Sequence, residues 1–160
     1  AIRNVYIEGI EATVDKYKTY HQAERKHFDF IPYASSISGF PGHPIEHIVI
    51  ENVNILVKGG FPIRNAESAL REIPEAGGKY PENRMYGVLP AFGFYIRHAR
   101  DVNMENIQVA IEQKDGRPAF LLDDVHASNF EEIKVTGSSN TPAFSVNPDC
   151  SNIQFDMHSI

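Results

Sequence analysis

The chain has 160 residues, 42% of them hydrophobic and 22% charged, which is enough length and apolar content to bury the core of one domain. A formal charge of −6 argues against nucleic acid as a partner, and no apolar run approaches the ~20 residues of a membrane span. The single cysteine, Cys150, excludes an intrachain disulfide, and we expect it to be an inert packed residue.

The composition favours strands, because 17 Ile and 11 Val accompany only 5 Leu. In chain order, five segments repeat one pattern of apolar and polar positions. The five segments are Val5–Ile10, Ile48–Val53, Val102–Ile107, Ser128–Ile133 and Ile153–His158. Asn52 and Asn106 precede the last apolar position of their segments, which predicts stacked bend residues there.

The spacing of these segments predicts a solenoid. Their central residues are 43, 54, 26 and 25 positions apart, and loop insertions at about 15–43 and 59–95 account for the longer spacings. A second short strand precedes each of the last three segments. A period near 25 predicts an all-β, right-handed parallel β-helix of about four to five coils over residues 1–160. Five leucines cannot supply a leucine-rich repeat, and an antiparallel sandwich would not repeat this pattern.

Two features accompany the solenoid. Asn65 as an N-cap and Pro74 as a stop predict one short helix, at 65–73, in the second insertion. The sequence begins within a repeat and without a capping segment. We therefore expect the C-terminal part of a longer solenoid, or self-association through exposed coil ends.

Several segments resemble one known family in order and spacing, over about residues 1–135. These segments are Arg3–Glu8, Ile37–Ile48, Ile73–Glu75, Tyr80–Glu82, Met85–Gly93, Arg97–His98 and Arg117–Val125. They are similar to the bacterial family 28 glycoside hydrolases, the polygalacturonase-like, pectin-degrading β-helix enzymes. The resemblance implies hydrolysis of α-linked uronic or related sugars with inversion, no cofactor, and a secreted or periplasmic protein.

The catalytic set that this resemblance implies has no match here. The family's Asn-x-Asp, Asp-Asp, Gly-His-Gly and Arg-x-Lys motifs belong to upstream coils, so we predict no catalytic residue in this chain. Asp123–Asp124 falls in a different context, and neighbours in a strand point to opposite faces. Gly42–Pro44 is predicted to form a turn. His43 and His47 would make a metal pair on a helix only, so we predict no metal.

Candidate substrate contacts lie in and after the second insertion. Sugar sites use aromatic faces and basic side chains, and this region holds both. The predicted substrate-binding residues are Tyr80, Arg84, Tyr86, Arg97 and His98. The alternative is that these aromatic residues pack the loop onto the body. The first insertion also mixes basic and aromatic residues, but a solvated loop explains it.

These observations leave three hypotheses open. The first is a part of a polygalacturonase-like glycoside hydrolase that acts on pectic or related uronic-acid polysaccharide, supplying coils and a cleft-lining loop without catalytic carboxylates. The second is a non-catalytic module that binds polysaccharide or oligosaccharide. The third is a structural β-helix module.

Overall fold

The protein is nearly all β. A computed structural model describes residues 2–18, 30–32, 34–61, 73–75, 78, 86–137 and 141–156. About 70% of these residues lie in strands and none lies in an α-helix, which confirms the all-β prediction. The helix predicted at 65–73 is not seen: it lies outside the described residues except for Ile73, which is not helical. Within the described ranges, no helix is long and apolar enough to cross a membrane.

In the part of the chain that the structure describes, nine strands form two sheets. In chain order they are β1 (Arg3–Val14), β2 (Lys16–Lys18), β3 (Phe30–Pro32), β4 (Ser35–Ser38), β5 (Ile45–Gly59), β6 (Phe94–Gln113), β7 (Phe120–Gly137), β8 (Phe144–Val146) and β9 (Ser151–Asp156). The main sheet runs β1-β5-β6-β7-β8, with β4 beside β6 and β9 beside β7, and all its pairings are parallel. β2 and β3 form a separate antiparallel pair. β4 pairs with β6 although it lies inside the first predicted insertion.

The five repeated segments lie in register with one another. Their central residues pair from strand to strand and form one column. That column is Ile7, Ile50, Met104, Phe130 and Phe155. The predicted alignment of the five segments is therefore confirmed for their described residues, which exclude residues 157 and 158.

Bends recur at equivalent positions of the long strands. One column of residues with positive φ is Asn4, His47, Asp101, Ala127 and Asn152, and a second is Gly9, Asn52, Asn106 and Glu132. Asparagine and glycine tolerate this left-handed conformation better than most residues. Asn106 Nδ2 donates to Asn52 Oδ1 at 2.8 Å, so the predicted role of these two residues as stacked bends is confirmed.

The core is made of apolar side chains on the inward positions of β5, β6 and β7, and it is closed by ring stacking. Phe120 stacks between Phe94 and Phe144, with ring centroids 5.2 and 4.5 Å apart. At the edges of the sheet, the inward apolar side chains are only partly buried. On β1 the inward residue Ile10 is 39% exposed, and on β9 Phe155 is 43% exposed.

An outward position of the repeat carries an acid in every strand layer. The carboxylate column is Glu8, Glu51, Glu105, Glu131 and Asp156. Neighbouring strands lie about 4.8 Å apart, so these like charges are stacked closely. The hydrogen bond from the Tyr6 hydroxyl to Glu51 is the main reason that the pKa of Tyr6 rises to about 12.

A buried ion pair fixes the turn between β6 and β7. Arg117 donates from Nε and Nη2 to the two oxygens of Asp115, each at 2.9 Å, and both side chains are fully buried. Arg117 Nη1 also donates to the carbonyl oxygens of Leu89 and Ala91. Asp115 accepts the backbone N–H of Phe61 at 3.1 Å. The pair therefore holds three chain segments together.

Candidate functional site

A group of polar side chains gathers where the first residues of β6 and β7 meet segment 73–75 and the turn before β9. We call this group the polar cluster. Its members are Glu75, Tyr95, Arg97, His98, Asp123, Asp124, His126, Asn147, Asp149 and Ser151. The sheet register brings them together, because Arg97 pairs with Asp123 and His126 pairs with Ser151.

Arg97 anchors the second insertion to the sheet. Its side chain is 5% exposed. Nη1 donates to the carbonyl oxygen of Ile73 at 2.7 Å, and Nη2 donates to Glu75. Among the described residues, Nε has no hydrogen-bond partner, and it lies 3.5 Å from Asp123 Oδ2. The guanidinium charge is thus matched by two carboxylates of the protein.

His98 lies between two carboxylates. Nδ1 is 2.5 Å from Asp124 Oδ2, and Nε2 is 3.1 Å from Glu75 Oε1. A carboxylate accepts only, so both contacts form as ion pairs when both ring nitrogens carry hydrogen. The pKa of Asp124 lies below its usual range chiefly because of the His98 hydrogen bond, with a smaller contribution from His126.

Asp124 continues this chain of contacts to a serine. His126 Nε2 is 2.8 Å from Asp124 Oδ1, and His126 Nδ1 is 2.8 Å from Ser151 Oγ. The backbone N–H of Asp124 donates to Asp149 Oδ1 at 3.1 Å. A continuous series of acidic, imidazole and hydroxyl groups therefore runs from Glu75 to Ser151.

Asp123 serves the inner side of the cluster. It accepts the Tyr95 hydroxyl at 3.0 Å and the Asn147 amide at 2.9 Å. Burial, followed by the charge of Asp123, raises the pKa of Tyr95, so the phenol stays protonated and keeps donating.

The alternation expected of a regular strand does not hold at Asp123 and Asp124. His98 and Asp124 have φ of +47° and +53°, so both strands bend at these stacked positions. As a result, Asp123 contacts Arg97 and Asp124 contacts His98 within one cluster. The two neighbouring acids therefore belong to one cluster but contact different partners: Asp123 contacts Tyr95 and Arg97, and Asp124 contacts His98 and His126.

The other near-match motif forms the predicted turn. Phe40 and His43 exchange backbone hydrogen bonds of 3.2 and 2.8 Å across Gly42, whose φ is +73°. Among the described residues, no group of three or more His, Cys, Asp or Glu side chains is placed to hold a metal ion.

Of the three predicted substrate-binding residues that the structure describes, two lie together. Arg97 and His98 are neighbours in the polar cluster and share Glu75. Tyr86 is buried at 8% exposure in an apolar cluster that also includes Tyr95, which is the packing role given above as the alternative. Tyr80 and Arg84 lie outside the described residues.

The sequence predictions missed His126 and Ser151. The repeat alignment carried a signal for both, because the same outward position holds Arg3, Glu46, Arg100, His126 and Ser151. Reading that column would have placed the imidazole beside the hydroxyl. Comparison with family models, with curated proteins and with solved structures finds no match to this chain.

Proposed function

We propose that the chain forms coils of a right-handed parallel β-helix that belongs to a polygalacturonase-like glycoside hydrolase. The observation that carries the proposal is the register of the main sheet. Parallel strands stack at the spacings of the repeat, and bends with positive φ recur at equivalent positions. Parallel crossover connections are right-handed in nearly all cases, which favours that handedness.

The segments that resemble the family occupy positions that organise this sheet. Residues 37–48 include the end of β4, the turn at Gly42 and the start of β5. Residues 117–125 run from the buried Arg117 into the polar cluster. A shared role of these segments in a β-helix would explain why they agree in order and spacing.

In this proposal the chain supplies coils and a cleft-lining loop, and pectic or related uronic-acid polysaccharide is the substrate. Arg97 and His98 hold the base of the loop at Ile73 and Glu75. The more exposed groups beside them are carboxylates, since the side chains of Glu75 and Asp124 are 40% and 36% exposed. Arg97 therefore acts by positioning the loop, and the catalytic carboxylates lie elsewhere.

Incubation with polygalacturonate and with rhamnogalacturonan, followed by a reducing-sugar assay, tests the absence of a catalytic set. We expect no release of reducing ends above a heat-treated sample. Clear turnover that is lost in both Glu75→Gln and Asp124→Asn, and kept in Glu112→Gln, would contradict the proposal. Glu112 is a suitable control because its partner is Lys58 at 3.0 Å, on the far ends of β5 and β6.

A non-catalytic polysaccharide-binding module is the second candidate. It is favoured by the hydrogen bonds from Arg97 to Ile73 and Glu75. These bonds hold segment 73–75 against the sheet, as a binding surface requires, and they imply no catalytic step. Calorimetric titration with oligogalacturonides separates the two candidates. Binding that Arg97→Met weakens, without turnover, would favour the binding module, and no binding would favour a part that supplies coils only.

A further inference from the structure

We infer that Ser151, His126 and Asp124 form a nucleophile, a base and an orienting acid that hydrolyse esters of small acyl groups. The inference goes beyond the proposed function, which places no catalytic residue in this chain. Three contiguous groups carry it: Ser151 Oγ is 2.8 Å from His126 Nδ1, and His126 Nε2 is 2.8 Å from Asp124 Oδ1. These are the separations that an activated serine requires.

The tautomer of His126 follows from its neighbours. Asp124 also receives a hydrogen bond from His98, which favours its ionised form, and a carboxylate can only accept. In the neutral imidazole, His126 Nε2 therefore carries the hydrogen, and Nδ1 keeps a lone pair that faces the Ser151 hydroxyl. This is the electronic arrangement of a serine–histidine–acid triad, with the two ring nitrogens exchanged.

The backbone holds the three groups in place. Ser151 and His126 are register partners in adjacent parallel strands, so their side chains leave the same face of the sheet. Asp124 is fixed by its backbone hydrogen bond to Asp149 and by its left-handed bend. Ser151 is exposed and the His126 side chain is 29% exposed, so a substrate can approach from solvent.

Arg100 can stabilise the developing charge. It is exposed and pairs with His126 in the sheet register. Ser151 lies one strand further on, so the Cα atoms of Arg100 and Ser151 are about 10 Å apart. An arginine side chain that extends along the stack of strands would span much of that distance, so the proposal includes Arg100 as the group that stabilises an oxyanion formed at Ser151.

The reaction is an acyl transfer to water. Ser151 Oγ bonds to the carbonyl carbon of the ester, and its proton passes to His126 Nδ1. The ester C–O bond then breaks, and the alcohol leaves with that proton. Water attacks the acyl-serine with His126 as the base, which releases the carboxylic acid and restores the serine. The carboxylates of Asp124 and Asp149 repel anionic substrates, so a neutral ester such as an acetyl ester fits best.

A fluorophosphonate label and hydrolysis of p-nitrophenyl acetate test the inference on the full chain. We expect mass spectrometry to find the label on Ser151, and no label at that site in Ser151→Ala. We expect His126→Gln and Arg100→Met each to slow ester hydrolysis roughly 100-fold. Circular dichroism confirms that each variant is folded.

Two control variants make the same kinds of substitution, at a histidine and a serine that lie outside the triad. His47 pairs with Asp101 at 2.6 Å on the same sheet and has no hydroxyl partner among the described residues. Ser36 is an exposed serine on β4. His47→Gln and Ser36→Ala should keep the wild-type rate. An unlabelled Ser151, or Ser151→Ala that hydrolyses the ester at the wild-type rate, would overturn the inference while leaving the β-helix proposal untouched.

Discussion

Replacement of Arg117 by methionine tests how the turn between β6 and β7 is stabilised. Methionine keeps much of the length of the side chain but removes its charge and its donors. The substitution leaves the Asp115 carboxylate buried, and among the described residues its remaining partners are the backbone N–H groups of Phe61 and Arg117, at 3.1 and 3.0 Å. The carbonyl oxygens of Leu89 and Ala91 lose a donor as well.

The expected loss is large because one partner of a buried pair is removed. Such a loss costs about 3–5 kcal/mol of the free energy of unfolding. For a domain of this size, that corresponds to a fall in Tm of about 6–20 °C. The double variant Asp115→Leu/Arg117→Met should lose less than the sum of the two single variants, because neither charge is then left alone.

Urea unfolding followed by far-UV circular dichroism measures these values, since the chain has no tryptophan. Arg3→Met is the matched control: it breaks the Arg3–Glu46 ion pair of 2.9 Å, in which the Arg3 side chain is 60% exposed. Exposed pairs contribute about 0–1 kcal/mol. If Arg117→Met and Arg3→Met lose the same free energy, the reasoning about the buried pair is wrong.

Three further changes follow from the sheet. Glu105→Gln removes one charge from the carboxylate column and should raise the free energy of unfolding by about 0.2–1 kcal/mol at low ionic strength, and by less in about 1 M salt. Urea unfolding at both salt concentrations checks this, and a gain that does not depend on salt would point to another cause. Gly39→Ala would place a Cβ 2.4 Å from the carbonyl oxygen of His98, so we expect a loss of about 1–3 kcal/mol in thermal unfolding, and an unchanged Tm would contradict that contact. Asp124 has a lowered pKa in the folded state, mainly through His98, so its contribution to stability is complete above the ordinary value of 3.8 and is lost as the pH falls through the folded value. Asp124→Asn should flatten the acid side of the stability curve, and identical curves would refute that contribution.

The stacking of the strands could be predicted because the same pattern of apolar and polar residues recurs in each repeated segment. Ile50, Met104 and Phe130 occupy the same inward position, and each faces an equivalent apolar neighbour, so the spacing of the segments is also the register of the strands. The bends at Asn52 and Asn106 could be predicted as well, because asparagine recurs at this position and few residue types accept positive φ.

The polar cluster was only partly predictable. Arg97 and Asp123 are separated by one repeat of 26 residues, so the alignment contains their contact. Glu75 is different, because it reaches Arg97 and His98 from inside an insertion that has no period. No local sequence pattern predicts where such a loop packs against the sheet. The position of the loop determines that the Glu75 carboxylate contacts Arg97.

Stacking also explains how one outward position can carry chemistry. In a parallel sheet each side chain has the equivalent residue of the next layer as its nearest neighbour, about 4.8 Å away. The column that holds Glu46, Arg100, His126 and Ser151 therefore changes character with each layer, from ion pairing at Arg3 and Glu46 to an imidazole beside a hydroxyl. The left-handed bend at Asp124 adds an acid to that column from the side. A reactive constellation thus needs only single substitutions in successive repeats, and the apolar core beneath it stays the same.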